Sequence, residues 1–266
     1  MAKPPVPTTV TQIRALTDTV KHFRFTFAPG GAFGFKAGQF LMLHVPKPGE
    51  ASPVRRAYSI ASPPHDTGAV ELVVKRVDGG LASNYLFSLA EGTACAVDGP
   101  YGAFVLPTPL PQELIFICTG TGIAPFRAQI HTLFRQGTDA TLTLIFGVRY
   151  EDEILYADEW RALAAAHPNF RFVPTISRPR NTPAPWTGEV GYVQTKVAAH
   201  APAGPEKAVF ICGLWDMISA VETTCRELGY TKQQLHYERY DYLDHLEAGN
   251  IGYPVRHDDL LREFAR

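Results

Sequence analysis

Residues 113–137 read ELIFICTGTGIAPFRAQIHTLFRQG, and the character of the chain changes twice within them. ELIFICTG is a continuous apolar run rich in β-branched and aromatic residues, which predicts a strand buried on both faces. APFRAQIHTLFRQG has helical period. Between them CTGTGIAP, Cys118–Pro125, turns strand into helix. Its glycines let the backbone turn tightly and approach a ligand, free N–H groups at the helix start attract a pyrophosphate, and Pro125 suits the first helical turn. The spacing is not GxGxxG, so a plain glycine turn is the bland reading of the same residues.

The rhythm continues downstream. ATLTLIFGV, FRFVPTIS, AVFICGL and QLHYERY alternate with the helical segments YADEWRALAAAHP and MISAVETTCRELG, the pattern of a doubly wound parallel α/β sheet. Upstream it is different. TVTQIRAL, KHFRFTFAP, QFLMLHVP, RRAYSIAS, VELVVKRV and ACAVDGP are short β segments punctuated by Gly and Pro, and only LASNYLFSLAEG reads as a helix, so a closed or sandwiched all-β domain is expected. The prolines of PTPLP, 107–111, mark the linker. The expected division is a β domain over 1–108, an α/β domain over 109–240 and a C-terminal extension over 241–266.

Composition narrows the function. The 266 residues are 45% apolar with a formal net charge of -1, which describes a soluble globular protein and argues against a nucleic-acid binder. Residues 1–108 carry ten Lys/Arg against seven Asp/Glu, whereas 241–266 carry three against six. The N-terminus lacks an apolar core of signal-peptide length and no run reaches membrane-spanning length, so a cytoplasmic location without a membrane span is expected. Cys95, Cys118, Cys212 and Cys225 form no CxxC pair, so no zinc or iron-sulfur site of the usual spacing is encoded. Redox chemistry here then requires an organic cofactor or a partner protein.

Three further motifs stand in the first half. In RAYSIAS, 56–62, Arg56 and Tyr58 share one face of a strand and Ala57, Ser59 and Ala61 the other. GGLASNYL opens the helix with Ser83 available to bond an anion, and GPYGAF is a tight turn closing the β domain. Each alone is an ordinary strand or turn.

Taken in order, RAYSIAS, VVKRV, GLASNYL, GPYGAF, CTGTGIAPFRAQI, ICGLWDM and QLHYERY resemble the plant-type ferredoxin-NADP reductase family from about residue 8 to Tyr240. The resemblance implies FAD on an antiparallel β-barrel, NADP(H) on the doubly wound domain, and the two reactive rings meeting in the cleft. It implies that Tyr58 stacks on the isoalloxazine, that Arg56 bonds the FAD pyrophosphate and that Ser59 reaches flavin N5. Gly80, Leu81, Ala82 and Ser83 would hold the diphosphate, with Val73 and Lys75 of the preceding strand also in the cofactor site. For the nicotinamide nucleotide it implies Thr121 and Gly122 at the diphosphate, Cys212 beside nicotinamide C4, and Gly213, Leu214 and Met217 around it. Glu238 would assist proton transfer and Tyr240 would cover the other flavin face, so that Ser59, Cys212, Glu238 and Tyr240 form the catalytic set. Ser177 and Arg178 match the pair that cradles the 2'-phosphate, and Tyr192 the aromatic on adenine.

Three departures accompany the match. Val190 stands where plant-type members have a second basic residue, and the loop from Val77 to Gly80 is too short to carry the aromatic that stacks on FAD adenine. The chain also continues beyond Tyr240 with DYLDHLEAGNIGYPVRHDDLLREFAR, whose Tyr242, Tyr253 and Phe264 are expected to help cover the flavin-nicotinamide cleft or form a subunit contact. The activity implied is hydride transfer between NADP(H) and FAD, coupled to single-electron exchange with a ferredoxin or flavodoxin. Such an acidic partner would dock on the mildly basic front domain. The alternatives are a reductase component of an oxygenase or haem-protein system, a free flavin reductase, or a flavin-binding subunit without nicotinamide. The complete second nucleotide motif argues against the last.

Overall fold

The computed structural model describes residues 4–180 and 184–240, so the extension over 241–266 lies outside the described residues. The first half forms β1 (Val6–Ala15), β2 (Val20–Phe27), β3 (Phe40–Val45), β4 (Val54–Ser59), β5 (Ala69–Lys75), α1 (Leu81–Ser88) and β6 (Ala94–Tyr101). The second forms β7 (Glu113–Thr119), α2 (Ile123–Arg135), β8 (Thr141–Val148), α3 (Ala157–Ala166), β9 (Phe170–Ile176), β10 (Glu189–Val190), α4 (Val197–His200), β11 (Lys207–Gly213), α5 (Trp215–Glu227) and β12 (Leu235–Arg239). Two compact units result. One runs to Leu106 and takes in Ile123–Thr138, the segment that contains α2; the other comprises Pro107–Gly122 and the chain from Asp139 onward.

In the first unit six antiparallel strands are ordered β4-β3-β6-β1-β2-β5. Strands such as β3 alternate buried and half-buried residues, which puts Leu41, Leu43 and Val45 into a core shared with Phe23, Phe25, Leu72 and Val97. RAYSIAS does not remain a strand to its end. β4 stops at Ser59, and the chain crosses to β5, where the Ala61 N–H donates to the Glu71 carbonyl (2.8 Å) and the Glu71 N–H donates to Ser62 Oγ (3.1 Å). That seam joins the two edges and closes the barrel.

Glu71 also binds through its side chain. Arg24 Nη1 donates to Oε1 (2.9 Å), Arg127 Nη1 of α2 donates to Oε2 (2.7 Å), and the same Arg127 nitrogen donates to the Ala61 carbonyl (3.1 Å). Gln129 Nε2 donates to the Phe104 carbonyl (2.8 Å), fixing α2 to the barrel a second time. Gly38, at φ +98°, lies directly beneath that contact, and a Cβ there would overlap the Phe104 carbonyl oxygen. GPYGAF departs from a simple turn. β6 continues through Gly99 and Pro100 to Tyr101, which pairs with Phe40, and the register against β3 shifts between Phe40 and Met42. Gly99 at φ +142° accommodates that irregular pairing.

In the second unit the six strands are all parallel and ordered β10-β9-β8-β7-β11-β12. Nearly every residue of β7, β8 and β11 is buried, as their unbroken apolar runs require. From β7 the chain proceeds outward through β8, β9 and β10, then returns to the other side of β7 as β11 and β12, so β7 and β11 flank the point where the winding reverses.

Burial pushes the Glu71 carboxyl up, but the charge and hydrogen bond of Arg127, the charge of His22 and the hydrogen bond of Arg24 outweigh it and hold it below its ordinary range. Asp66 is also lowered, chiefly by its hydrogen bond from Arg24. A depressed folded-state value stabilises the fold above the unfolded-state pKa, and that contribution disappears as pH falls through the folded value. Urea unfolding at pH 7 and at about pH 3 therefore has a strongly acid-sensitive midpoint. Glu71→Gln is expected to lose ~2 kcal/mol at pH 7 and to flatten the acid dependence; an unchanged pH slope in that variant would assign the acid sensitivity elsewhere.

Candidate functional site

On the barrel, β4 carries the sequence-expected flavin residues. Arg56 and Tyr58 lie opposite Leu43 and Leu41, on the core side of the strand, and Tyr58 packs half-buried against the core. Ser59 lies opposite Phe40 and is 9% exposed. Arg56 Nη1 donates to the Arg55 carbonyl (3.0 Å). On β5, Val73 is buried and Lys75 exposed at the strand end.

The turn after β5 is built for close approach. Gly79, at φ +74°, has nothing within 4 Å of where a Cβ would sit, and Gly80 caps α1 with no side-chain hydrogen bond. Asn84 Nδ2 donates to the Val77 (3.0 Å) and Gly80 (2.7 Å) carbonyls and holds the loop closed. Ser83, expected to be open to an anion, accepts the Val77 N–H (3.1 Å) and is 7% exposed. Its hydroxyl proton has the Val77 and Gly80 carbonyls only at 3.4 Å, weak bonds that a phosphate oxygen can displace. Leu81 and Ala82 turn inward to the core, leaving their main-chain N–H groups at the helix start. An exposed glycine loop, a helix N-terminus and the β4 arginine suit the diphosphate of FAD, and Tyr58 suits its ring.

On the α/β unit the expected nicotinamide residues gather where the winding reverses, the usual ligand position in such sheets. Gly120–Gly122 form a 3-10 turn directly after β7. Gly122 lies so close to the Cys212 carbonyl oxygen of β11 that a Cβ would overlap it. Thr121 sits at the crest of this turn. Cys212 pairs with Cys118 on one side and Glu238 on the other, and the Tyr240 N–H donates to the Gly213 carbonyl (3.0 Å). The Met217 methyl occupies the space a side chain at position 213 would need, and Leu214 caps α5 at 58% exposure.

The outer strand ends carry the residues read as adenosine ligands. The Ser177 N–H donates to the Val148 carbonyl (3.0 Å) and the Arg178 N–H to the Arg149 carbonyl (2.9 Å), so the two chains stay joined just past both strand ends. Arg149 was missed by sequence reasoning because GVRY carries no phosphate signature; only the β8–β9 register brings it beside Arg178. Tyr192 presents its ring at 61% exposure, and Val190 is also exposed. Glu189 is engaged instead with Lys196 Nζ (3.1 Å) and His200 Nε2 (2.7 Å), whose hydrogen bonds hold its carboxyl below the usual range.

The thiols are protonated by their surroundings. Burial raises Cys118 well above an ordinary thiol, and burial together with the nearby Glu238 and Cys118 does the same to Cys212. Cys225 is pushed up to about 12, and Cys95 is raised as well, both mainly by burial. Cys212, fully buried, is thus held as an uncharged thiol rather than poised as a nucleophile. Among the described residues no helix is long and apolar enough to cross a membrane, and no group of His, Cys, Asp and Glu is arranged to hold a metal ion.

Known proteins share this pair of domains. The family described as "Oxidoreductase FAD-binding domain" matches residues 7–106 and "Oxidoreductase NAD-binding domain" matches 116–223. Ferredoxin--NADP reductase B of Sorangium cellulosum is 41% identical over 236 residues, covering 86% of this chain and 95% of that protein. The phenol hydroxylase P5 protein of Acinetobacter pittii is 32% identical over 235 residues, covering 87% of this chain and 64% of its own length. The crystal structure of an Amycolatopsis cytochrome P450 reductase superposes with a TM-score of 0.79 at 27% identity, over 89% of this chain and 69% of that one. With an FAD-binding barrel, a nicotinamide-nucleotide-binding α/β unit and a near full-length relative at this identity, the chain belongs to the ferredoxin-NADP reductase family of FAD- and NAD(P)-dependent oxidoreductases.

Proposed function

We propose that the chain is a ferredoxin-NADP(+) reductase that prefers NADP(H) and exchanges electrons with a ferredoxin or flavodoxin. The carrying observation is the pair of arginines at the β8 and β9 ends, linked by the Arg178 N–H to Arg149 carbonyl bond. Two arginines whose main chains meet at these strand ends supply two cations suited to a 2'-phosphate, and Tyr192 exposes a ring suited to the adenine. Arg149 then supplies the second cation that Val190 does not.

FAD, when bound, would supply the chemistry that links two-electron hydride exchange to one-electron transfer. The chain's residues do the rest. Tyr58 gives the ring a platform, Arg56 and the α1 N-terminus neutralise the diphosphate, and Ser59 offers a hydroxyl for N5. The turn at Thr121 and Gly122 brings main-chain N–H groups to the nicotinamide nucleotide's diphosphate. Cys212 keeps the nicotinamide wall uncharged, so no thiolate competes for the ring. Glu238 stands on the neighbouring strand as the group able to hold a proton, and Tyr240 is tied through its main chain to Gly213. The lysine and arginine excess in residues 1–108 supports an acidic partner for the barrel. A second reading, a reductase component serving an oxygenase, is supported by the likeness to the phenol hydroxylase P5 protein and the cytochrome P450 reductase.

Arg178→Glu is expected to raise KM for NADPH roughly 10- to 100-fold while leaving KM for NADH and kcat nearly unchanged. Arg149→Glu is expected to act in the same direction. Steady-state kinetics with both nucleotides measures this, and equal losses with NADH would remove the 2'-phosphate assignment. Cys212→Asp, which puts a charge on the wall, is expected to lower the hydride-transfer rate about 100-fold in stopped-flow reduction without altering the flavin spectrum. For the partner, the NADPH-reduced protein should pass electrons to ferredoxins with a rate that falls steeply as salt rises. Rates that respond only to an oxygenase or haem protein would favour the second reading.

A further inference from the structure

Asp98 of β6 is 1% exposed, yet it is paired with Met42 on the side of the sheet away from the core residues Leu41 and Leu43. A carboxylate so deprived of water needs donors for its oxygens. Arg55 gives two, Nε to Oδ2 (2.9 Å) and Nη2 to Oδ1 (2.5 Å). The Tyr101 hydroxyl donates to Oδ1 (2.5 Å) and His44 Nε2 meets Oδ2 (2.6 Å). Residues of β3, β4 and β6 therefore converge on one acid, and the Arg55 guanidinium is held in a bidentate fork.

Arg55 and Arg56 are consecutive on β4, so their side chains leave opposite faces of the sheet. Arg55 lies across from His44 on the outside, and Arg56 across from Leu43 on the core side. The two are still linked, because Arg56 Nη1 donates to the main-chain carbonyl of Arg55 (3.0 Å). One residue is thus gripped at its head by Asp98 and offers at its backbone an acceptor that aims the neighbouring guanidinium.

We propose that Asp98 is a positioning residue for the flavin's phosphate clamp, acting through Arg55 to set the direction in which Arg56 presents its guanidinium to the FAD diphosphate. The inference rests on the reading of Arg56 as that clamp. A simple cross-link between three strands makes a different demand. Its loss would loosen all of β4, including Tyr58 and Ser59, and would appear at the isoalloxazine as strongly as at the phosphates.

The FAD-loaded protein and its Asp98→Asn, Arg55→Lys and Arg56→Lys variants distinguish these cases. Phosphorus NMR reads the bound diphosphate, the visible absorption band reads the ring environment, and dilution gives the FAD dissociation constant. Asp98→Asn and Arg55→Lys are expected to shift the diphosphate resonances and weaken FAD about tenfold, roughly the loss of one oriented charged hydrogen bond, with the visible band unmoved. Unmoved phosphorus resonances, or a visible band displaced along with them, would overturn the proposal in favour of the cross-link. Should Asp98→Asn fail to fold, Arg55→Lys, which keeps the charge on a partly exposed side chain, carries the same expectation. Arg56→Lys separates the two levels: if it leaves both phosphorus resonances in place, the clamp reading itself fails and the relay falls with it.

Discussion

Closure of the barrel at Glu71 is the contact on which the arrangement of the flavin unit depends. One residue accepts the Ala61 N–H at its carbonyl, donates to Ser62 from its amide and gathers Arg24 and Arg127 at its carboxylate. A half-open sheet would leave the end of β4 as a frayed edge with unpaired main-chain groups. The seam ends β4 immediately after Ser59, so the arginine, tyrosine and serine sit on a strand whose far end is tied down. Arg127 adds a helix to the same point, and α2 is in consequence part of the barrel unit although it follows the nucleotide-binding turn in sequence.

The two units solve the burial problem differently, and the solutions determine where ligands are received. The antiparallel barrel hides one face of each strand, so its functional residues appear at strand edges and in the loop before α1. The parallel sheet buries both faces of β7, β8 and β11, leaving strand ends as the only open main chain. Its candidate residues accordingly cluster at carboxyl ends, from Gly120 through Cys212 to Arg178. Packing of Gly122 against the Cys212 carbonyl makes the two central ends one surface, without room for any side chain at position 122.

Much of this was legible in the sequence because it rests on periodicity and on residues with restricted chemistry. The strand runs, the glycine turns and the change of rhythm at the proline-rich linker all reappear as elements near their expected places. Features that depend on register were not legible. Arg149 became adjacent to Arg178, and Asp98 to His44 and Arg55, only through strand pairing, which no local window encodes. The engagement of Ser83 with the Val77 amide was likewise hidden, since a serine at a helix start reads equally well as a ligand or a loop staple. RAYSIAS was read as strand throughout because its alternation persists to Ala61; the bend toward Glu71 is imposed by closure, not by local preference.

The raised thiols have a consequence for electron economy. Thiol-disulfide exchange proceeds through the thiolate, and all four cysteines, none of them in a disulfide, are held in the protonated form by their surroundings. A protein that handles strongly reducing equivalents therefore contains no sulfur ready to divert them into glutathione or exposed disulfides. The polypeptide thus offers no poised thiolate as a second exit for electrons.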